Sequence, residues 1–487
     1  MNDLFKFSNM WQMMSTEVLD VAVRSKAIRN WALKKGSNQL YDFFVVENED
    51  NLPFKVQEMR YLALTNLLHT VNKALSDGRI SAEVRRGVVK NFIGKVITGE
   101  YERQRPFREQ YGFNPPSFLT ISPTKKCNLA CKGCYAASSK KNDNTLPYNV
   151  FDRMIKEKKD LWGSHFTVIS GGEPLMYQSE GKDLFDIFRE NNDNYFMMYT
   201  NSTLIDRDMA KRLAEVGNVT PAISVEGWEK ETDARRGKGV YAKIQEAMNN
   251  LRAEGVPFGV SVTATKENAE VVLSDEFMDY YFNEKGAIYG WIFQYMPIGR
   301  SYTVDMMVTP EQRKWMLQQE LDLIYKKNLF LIDFWNGGPM SVGCIAAGRS
   351  GGYFYVDWDG NIAPCVFFPY RVGNIKEIYK KGENLTSVLT TGYFKAIRSW
   401  QDAYTSRNNG AKVKNLFMPC PIRDHYKFAH KTINRFNAEP MDSDAAKAIT
   451  DPKYKERMVE YDNRLSQLLD PMWKDGFTNR ANGNGKH

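Results

Sequence analysis

The sequence has few cysteines and histidines: its 487 residues include six cysteines and five histidines. A disulfide framework is usually dense and belongs to short secreted chains, so sparse cysteines argue against one. The sequence also lacks an apolar run of about eighteen residues, and its first residues show no charged region leading into an apolar stretch. We expect a cytoplasmic protein without a transmembrane segment.

An excess of one charge is also missing. Sixty-six Lys and Arg against fifty-eight Asp and Glu give a formal net charge of +8, with no dense basic run, so no nucleic-acid partner is expected. Apolar residues are plentiful at 43%, and aromatic residues reach 13%. This composition can bury a core, and the length predicts about two to four folding units.

The first region, residues 1–112, has helical periodicity. Ser15 can cap a helix over 15–33, and further helices are expected over 54–75, before an Asp77-Gly78 stop, and over 81–97. An apolar stripe near the start could face a membrane surface or a lipid, but a helix packed on the rest of the protein is the commoner arrangement. The stripe consists of Leu4, Phe7, Trp11 and Met14.

The second region, residues 113–305, alternates predicted strands with predicted helices. The strands are expected over 117–123, 165–170, 195–200, 219–225, 257–264 and 287–295. The intervening helices are expected over 148–161, 206–216, 240–254 and 267–283. Such alternation specifies a parallel sheet with right-handed crossovers. The fold class is therefore α/β, a partial (β/α)6 TIM-like barrel whose site lies at the carboxyl ends of the strands.

Three further regions follow. Thr309 to Gln312 is a capping box, so residues 306–335 are interpreted as a connecting helix. Residues 336–435 are rich in glycine and aromatics, and 353–368 predicts a β-hairpin with Cys365 on its second strand. Residues 436–487 predict a helix to about Leu469 and then a flexible tail.

The cysteines fall into two groups, the first being Cys127, Cys131 and Cys134 with spacing C-x3-C-x2-C. A cubane iron–sulfur cluster ordinarily takes four thiolates, one per iron. Three thiolates leave one iron without a protein ligand, and an open metal position is typical of catalytic sites. The alternative is a zinc site, but such sites usually pair two short motifs, and no histidine follows the triplet until His165.

This motif after the first strand, with Gly171-Gly172-Glu173-Pro174 after the second, resembles the radical S-adenosylmethionine superfamily over roughly residues 115–300. The resemblance implies that S-adenosylmethionine chelates the open iron, and that reductive cleavage yields a 5′-deoxyadenosyl radical that abstracts hydrogen from substrate. It also implies an electron donor such as flavodoxin or ferredoxin. The two glycines would let the backbone approach a ligand closely, and Glu173 would accept from its ammonium group.

The resemblance implies other cofactor contacts at the ends of later strands, although each residue could equally be an ordinary polar residue of a loop. Arg236 lies in a segment similar to Asp-x-x-Arg-Gly and could pair with a carboxylate. Gly133 stands where the family often has an aromatic residue near adenine, so that role passes to Tyr135. The remaining positions are Thr200, Asn201, Ser224 and Glu226.

The second group is Cys344, Cys365 and Cys420, and Gly360-x4-Cys365 resembles the opening of a SPASM or shorter twitch region. Three cysteines allow at most one auxiliary [4Fe-4S] cluster. Its fourth iron is either open or held by Asp424 or His425, and the closed form is slightly favoured because Asp424 follows Cys420 so closely. The alternative is three buried, unligated thiols.

The leading hypothesis is therefore a radical S-adenosylmethionine enzyme with an auxiliary cluster. Peptide or protein modification is slightly favoured, with a lipid or other small molecule as the alternative substrate. An iron–sulfur electron-transfer or sensing protein is the runner-up from another class, but it would not need Gly171, Gly172 and Glu173. A zinc-stabilised scaffold is a third reading.

Overall fold

The computed structural model describes residues 24–97, 100–405 and 412–478. The apolar stripe and the Ser15 cap expected near the start of the chain lie outside the described residues, as does the tail from Asn479. Among the described helices, none is both long enough and apolar enough to cross a membrane.

A ten-stranded sheet organises the molecule, and its order is β10-β9-β8-β1-β2-β3-β4-β5-β6-β7. The strands are β1 (Phe118–Ile121), β2 (Phe166–Ile169), β3 (Tyr195–Thr200), β4 (Val219–Val225), β5 (Gly259–Ala264), β6 (Gly290–Gln294), β7 (Leu331–Asp333), β8 (Tyr355–Val356), β9 (Asn361–Ala363) and β10 (Gly373–Asn374). Strands β1 to β6 are neighbours in chain order and pair in parallel. The α/β class and its core of six parallel strands are confirmed.

Helices pack against this sheet, and most residues of its central strands are buried, so these strands read as apolar runs. In β4 every residue but Ser224 is buried. The helices that connect and cover β1 to β6 are Tyr148–Trp162, Leu184–Glu190, Arg207–Val216, Glu229–Arg236 and Val240–Ala253. Short elements complete this part of the chain: a 3-10 turn at Pro174–Met176 and a small hairpin of Gln178–Ser179 with Lys182–Asp183.

The helix expected over 267–283 is not continuous, and this expectation is wrong. The chain forms helices Ala269–Val272 and Asp275–Met278 and then a π-helical turn over Asp279–Glu284. The break falls at Ser274, whose backbone is extended and whose Oγ caps the second helix by accepting from the Phe277 N–H at 3.2 Å. A serine that caps a new helix competes with continuation of the preceding one.

Residues 306–335 contain the expected helix, Pro310–Tyr325, which begins at the capping box of Thr309 and Gln312. They also contain β7, which extends the sheet in parallel beside β6. The hairpin likewise joins this sheet, because β8 pairs in parallel with β1. The position expected for Cys365 is wrong, since β9 ends at Ala363. Pro364 follows, and it has no N–H to continue the strand pairing.

Further helices precede and follow the strands of the sheet in sequence. Before it lie Lys26–Tyr41, Phe54–Ser76, Ala82–Gly87, Glu100–Arg103 and Arg105–Tyr111, with π-helical turns at Asp42–Glu47 and Val88–Ile97. After it lie Gly338–Ser341, Ile375–Lys380, Thr386–Leu389, Gly392–Thr405, Tyr426–Arg435, Ser443–Thr450 and Pro452–Trp473, a π-helical turn at Lys474–Thr478, and the pair Tyr370–Arg371 with Glu439–Pro440. Asn66 joins the helix Phe54–Ser76 to the region before β7 by donating to the carbonyls of Ile324 and Leu329, both at 3.1 Å.

A buried lysine supplies a test of this packing. Lys158 is fully buried, and its Nζ lies 2.8 Å from the Ser164 carbonyl and 2.7 Å from Asn194 Oδ1. Burial lowers the pKa of Lys158 well below its usual value. Between the folded pKa and the ordinary value near 10.5, the unfolded chain carries the proton and the folded chain does not, so stability rises with pH.

We therefore predict that Lys158→Met flattens the pH dependence of the free energy of unfolding by up to about 1.4 kcal/mol per pH unit across that window. Urea unfolding at several pH values measures it, with Lys156→Met on the exposed side of the same helix as the control. Identical pH profiles for the parent and Lys158→Met would contradict the prediction.

Candidate active site

Most of the predicted site residues meet at the carboxyl end of the parallel strands, around a cavity of about 420 Å³, whose wall does not include Glu173, Pro174 or Glu226. The cysteine loop follows β1, the Gly-Gly-Glu-Pro loop follows β2, Thr200 and Asn201 close β3, and Ser224 lies near the end of β4. Both cysteine groups line this cavity. Among the expected site residues, its wall includes Cys127, Cys131, Cys134, Tyr135, Gly171, Gly172, Thr200, Asn201, Ser224, Arg236, Cys344, Cys365 and Cys420.

The first thiol is the most buried of its group. Cys127 Sγ accepts from the Leu129 N–H at 3.4 Å and from Asn201 Nδ2 at 3.7 Å. Burial raises the pKa of Cys127 to about 12. A metal must therefore offset the cost of the thiolate form, as metal ligation of cysteine does.

Gly133 explains the missing aromatic residue before the third cysteine. Its φ is +61°, a conformation that side chains other than glycine rarely adopt, and a Cβ there would lie 2.6 Å from the ring of Tyr295. Tyr135 sits nearby with its hydroxyl donating to Ser170 Oγ at 3.1 Å and accepting from the Gly171 N–H at 3.0 Å. An aromatic residue therefore reaches this cavity from two positions further along the chain.

The two glycines after β2 allow a close approach, but it is to the cysteine loop. A Cβ on Gly172 would lie 2.2 Å from the carbonyl oxygen of Lys126, the residue before Cys127. The Gly172 N–H also donates to the Thr124 carbonyl at 2.9 Å. The glycine pair therefore fixes the Gly-Gly-Glu-Pro loop against the cysteine loop. The sequence alone suggested a different role, in which the two glycines let the backbone approach a ligand.

Glu173 links the same loop to the end of β3. Its fully buried carboxylate accepts from Thr200 Oγ1 at 2.7 Å, from the Asn201 N–H at 2.8 Å and from the Leu175 N–H at 3.2 Å. Burial raises the pKa of Glu173 to about 7, although these hydrogen bonds favour the charged form. A carboxylate has about four acceptor positions, so one further donor can still bind. Pro174 begins the short 3-10 turn that follows.

Glu226 holds two arginines beside the cysteine loop. Its buried carboxylate pairs with Arg235 and with Arg236, whose Nε lies 2.8 Å from Oε1. The Arg235 carbonyl accepts from the Lys132 N–H at 3.0 Å, which ties this helix end to the loop. Burial lowers the pKa of Arg236, but Glu226 and the thiols of Cys131 and Cys134 outweigh that effect and raise it. Two guanidinium groups with one carboxylate leave positive charge beside three thiols.

The second thiol group lies across the same cavity. Cys365 Sγ lies 2.9 Å from the Tyr353 hydroxyl oxygen and accepts from the Phe367 N–H at 3.4 Å. Burial raises the pKa of all three thiols, that of Cys365 to about 12. Phe367 also contacts Tyr135, with ring centroids 6.0 Å apart. An aromatic contact therefore joins the two segments that carry the thiol groups.

Asp424 and His425, the expected alternatives for a fourth ligand, do not line the cavity. Asp424 pairs with Arg313, and both side chains are fully buried. His425 directs Nε2 to the Met418 carbonyl at 2.8 Å. Both side chains therefore have other partners.

The donor set fits iron–sulfur clusters. Within residues 24–97, 100–405 and 412–478, no three His, Cys, Asp or Glu side chains converge closely enough to hold a single metal ion. A cubane cluster binds one thiolate per iron, so its ligands need not converge on one point. Three thiols of each group facing one cavity, with buried arginines beside the first group, meet that requirement.

Sequence reasoning missed several residues of the cavity wall. Arg235 could have been suspected because it precedes Arg236. Asp333 ends β7, but that strand was not predicted. The aromatic side of the wall comes from distant segments, and only the alternation in β6 hinted at it. Its members are Tyr199, Trp291, Phe293, Phe334, Trp335 and Phe367.

A parallel sheet with three thiols and a Gly-Gly-Glu-Pro loop at its carboxyl edge is an α/β site whose donors suit an iron–sulfur cluster. Residues 121–274 match the family model described as Radical SAM superfamily, so this part of the chain carries a radical SAM domain. A [4Fe-4S] cluster and S-adenosylmethionine are the cofactors characteristic of this domain.

Three similar proteins illustrate the relationship. The Fe-coproporphyrin III synthase of Methanosarcina barkeri (strain Fusaro / DSM 804) is 34% identical over 163 residues, which is 33% of this chain and 40% of that protein. The cysteine-type anaerobic sulfatase-maturating enzyme of Clostridium perfringens (strain 13 / Type A) is 25% identical over 55% of this chain and 80% of that enzyme. The crystal structure of Streptococcus suis SuiB bound to precursor peptide SuiA matches with a TM-score of 0.50 and 18% identity, covering 61% of this chain and 70% of that one. The last similarity confirms the fold.

The contact between the two motif loops generates a prediction. Gly172→Ala forces a Cβ against the Lys126 carbonyl and should displace the cysteine loop, at a cost of about 1–3 kcal/mol. We expect loss of the iron bound by Cys127, Cys131 and Cys134 after anaerobic reconstitution. Gly36→Ala is the control, because a Cβ there meets nothing within 4 Å. Full iron content in Gly172→Ala would contradict the role assigned to this contact.

Proposed function

We propose that the protein abstracts a hydrogen atom from a peptide or protein substrate in the cavity between two iron–sulfur clusters. Cys127, Cys131 and Cys134 would hold the first cluster, and residues 344, 365 and 420 an auxiliary one. The observation that carries the proposal is that both thiol groups line one cavity together with the loop containing Gly171 and Gly172. The first cluster, with S-adenosylmethionine bound, would supply a 5′-deoxyadenosyl radical.

The residues at the strand ends bind and orient the cofactor in this proposal. Glu173 accepts from the ammonium group of S-adenosylmethionine with its remaining acceptor position, while Thr200 and Asn201 hold its carboxylate in place. Arg236, with Arg235, supplies positive charge for the carboxylate of the methionine moiety, and Glu226 holds both guanidinium groups. Tyr135 and Ser224 contact the nucleoside. Ser224 lines the cavity, and each of the other assignments joins a family resemblance to a contact described above.

The charge of the cavity wall supports a peptide as the substrate. Among the described residues that line it, the positively charged ones are Arg235 and Arg236, and both are paired with Glu226. A substrate with several carboxylates, as a porphyrin has, would need further cations, because buried charges must be paired. An aromatic wall instead suits an apolar or aromatic side chain of a peptide.

Two relatives support the same preference, since one is named as a sulfatase-maturating enzyme and one structure contains a precursor peptide. A lipid or other small molecule remains the alternative, and the porphyrin-named relative supports it. A flavodoxin or ferredoxin would deliver the electron.

We also propose a division of the chain into five regions. They are an N-terminal helical region over 1–112, a radical SAM unit over 113–305, a connecting helix over 306–335, an auxiliary-cluster unit over 336–435, and a C-terminal helix and tail over 436–487.

Iron content and nucleoside release test this function together. We predict about eight irons per chain after anaerobic reconstitution, and release of 5′-deoxyadenosine from S-adenosylmethionine with a strong reductant even without substrate. Changing Cys127, Cys131 and Cys134 to Ala should remove about half of the iron and all of the nucleoside.

The triple change Cys344, Cys365 and Cys420 to Ala is the matched comparison. It should also remove about half of the iron but leave some release of 5′-deoxyadenosine, because the first cluster remains. Nucleoside release that survives the loss of Cys127, Cys131 and Cys134 would refute the assignment.

A further inference from the structure

A buried ion pair fixes the loop that carries Cys420. Arg313 and Asp424 are both fully buried, and Arg313 Nη1 and Nη2 bond the two carboxylate oxygens, Nη2 to Oδ2 at 3.2 Å. Arg313 Nη2 also donates to the Phe417 carbonyl at 2.8 Å, and Nε donates to Asn336 Oδ1 at 3.0 Å. One guanidinium group therefore holds both ends of the segment 417–424.

Asp424 in turn holds the backbone of the thiol. Its Oδ2 accepts from the Cys420 N–H at 3.0 Å, and its own N–H donates to the Cys420 carbonyl at 2.9 Å. Both carboxylate oxygens are thus occupied by Arg313 and Cys420. Ligation of iron by Asp424 would take an oxygen from a fully buried guanidinium group, and leaving such a charge unpaired is strongly unfavourable.

His425 is held elsewhere. Its Nε2 lies 2.8 Å from the Met418 carbonyl oxygen, and its ring lies against Trp400 and Tyr404 with centroids 5.1 and 4.9 Å apart. It does not line the cavity. The ring would have to leave this aromatic contact to reach a cluster.

Among the described residues, the wall of the cavity offers one carboxylate and no histidine. That carboxylate, Asp333, accepts from Gln294 Nε2 at 2.9 Å and from the N–H groups of Trp335 and Asn336 at 2.7 and 2.8 Å. The Tyr353 hydroxyl already contacts Cys365 Sγ. Among the described residues of the wall, Asp333 and Tyr353 therefore already have partners.

We propose that Cys344, Cys365 and Cys420 are the sole protein ligands of the auxiliary cluster, and that its fourth iron is a binding site for a ligand donor atom from the shared cavity. The wall between the two thiol groups is aromatic, so the ligand is a sulfur or nitrogen donor attached to an apolar or aromatic group. Arg313 and Asp424 are positioning residues for Cys420. The inference rests on the auxiliary cluster of the proposed function.

The test uses the full chain with Cys127, Cys131 and Cys134 changed to Ala, so that the auxiliary cluster alone remains. After anaerobic reconstitution and reduction, ¹³C-cyanide is added as the probe, and electron–nuclear double resonance detects ¹³C bound to iron. We expect ¹³C coupling in this background at about four irons per chain. In the same background, His425→Gln and Tyr353→Phe should show the same coupling, and Asp424→Asn, which removes the charge that pairs with Arg313, should show it in the clusters that still assemble.

Each other outcome counts against the inference. Coupling that appears only after Asp424, His425 or Tyr353 is changed identifies that residue as the fourth ligand and overturns the open iron. Four irons without coupling in the parent and in all three variants overturn it as well, through a ligand from elsewhere in the chain. Absence of iron in the parent overturns the inference and the auxiliary cluster of the proposed function together.

Discussion

The buried carboxylate of Glu173 is the contact on which the site depends. It joins the loop after β2 to the end of β3 by accepting from Thr200, Asn201 and Leu175. Gly172 presses the same loop against the backbone just before Cys127. Three strand ends are thereby fixed relative to one another before any cofactor binds. Such rigidity is what a reaction that generates a radical requires, because misplacement of the reacting atoms lowers the rate steeply.

Electrostatics favour the same arrangement. Burial opposes the thiolate form of Cys127 and of the three cysteines of the second group. Binding of a metal cluster offsets that cost, since ligation requires deprotonated sulfur. Glu226 and the thiols of Cys131 and Cys134 raise the pKa of Arg236. Its positive charge therefore lies beside the first group of thiols. Around Cys420 the corresponding arginine is neutralised by Asp424, so that pair orients the loop instead.

Sequence patterns predicted the parts of the fold that local forces determine. The alternation of apolar residues located β1 to β6, and the capping box of Thr309 and Gln312 located the helix after them. The broken helix over 269–284, the three-residue strand β7 and the end of β9 at Pro364 were missed, because each depends on one residue or on pairing across the sheet. The cysteine spacing and Gly-Gly-Glu-Pro predicted the first site. The partner of Asp424, by contrast, lies 111 positions away in sequence, beyond the reach of any local pattern.

The central claim is that S-adenosylmethionine binds the iron left open by Cys127, Cys131 and Cys134. Electron–nuclear double resonance on the reduced protein tests it most directly, with the amino nitrogen of S-adenosylmethionine labelled with ¹⁵N. The protein with Cys344, Cys365 and Cys420 changed to Ala isolates the first cluster. The account predicts a ¹⁵N coupling there, and its loss when the first three cysteines are changed instead. A reduced first cluster that shows no ¹⁵N coupling at saturating S-adenosylmethionine would contradict it.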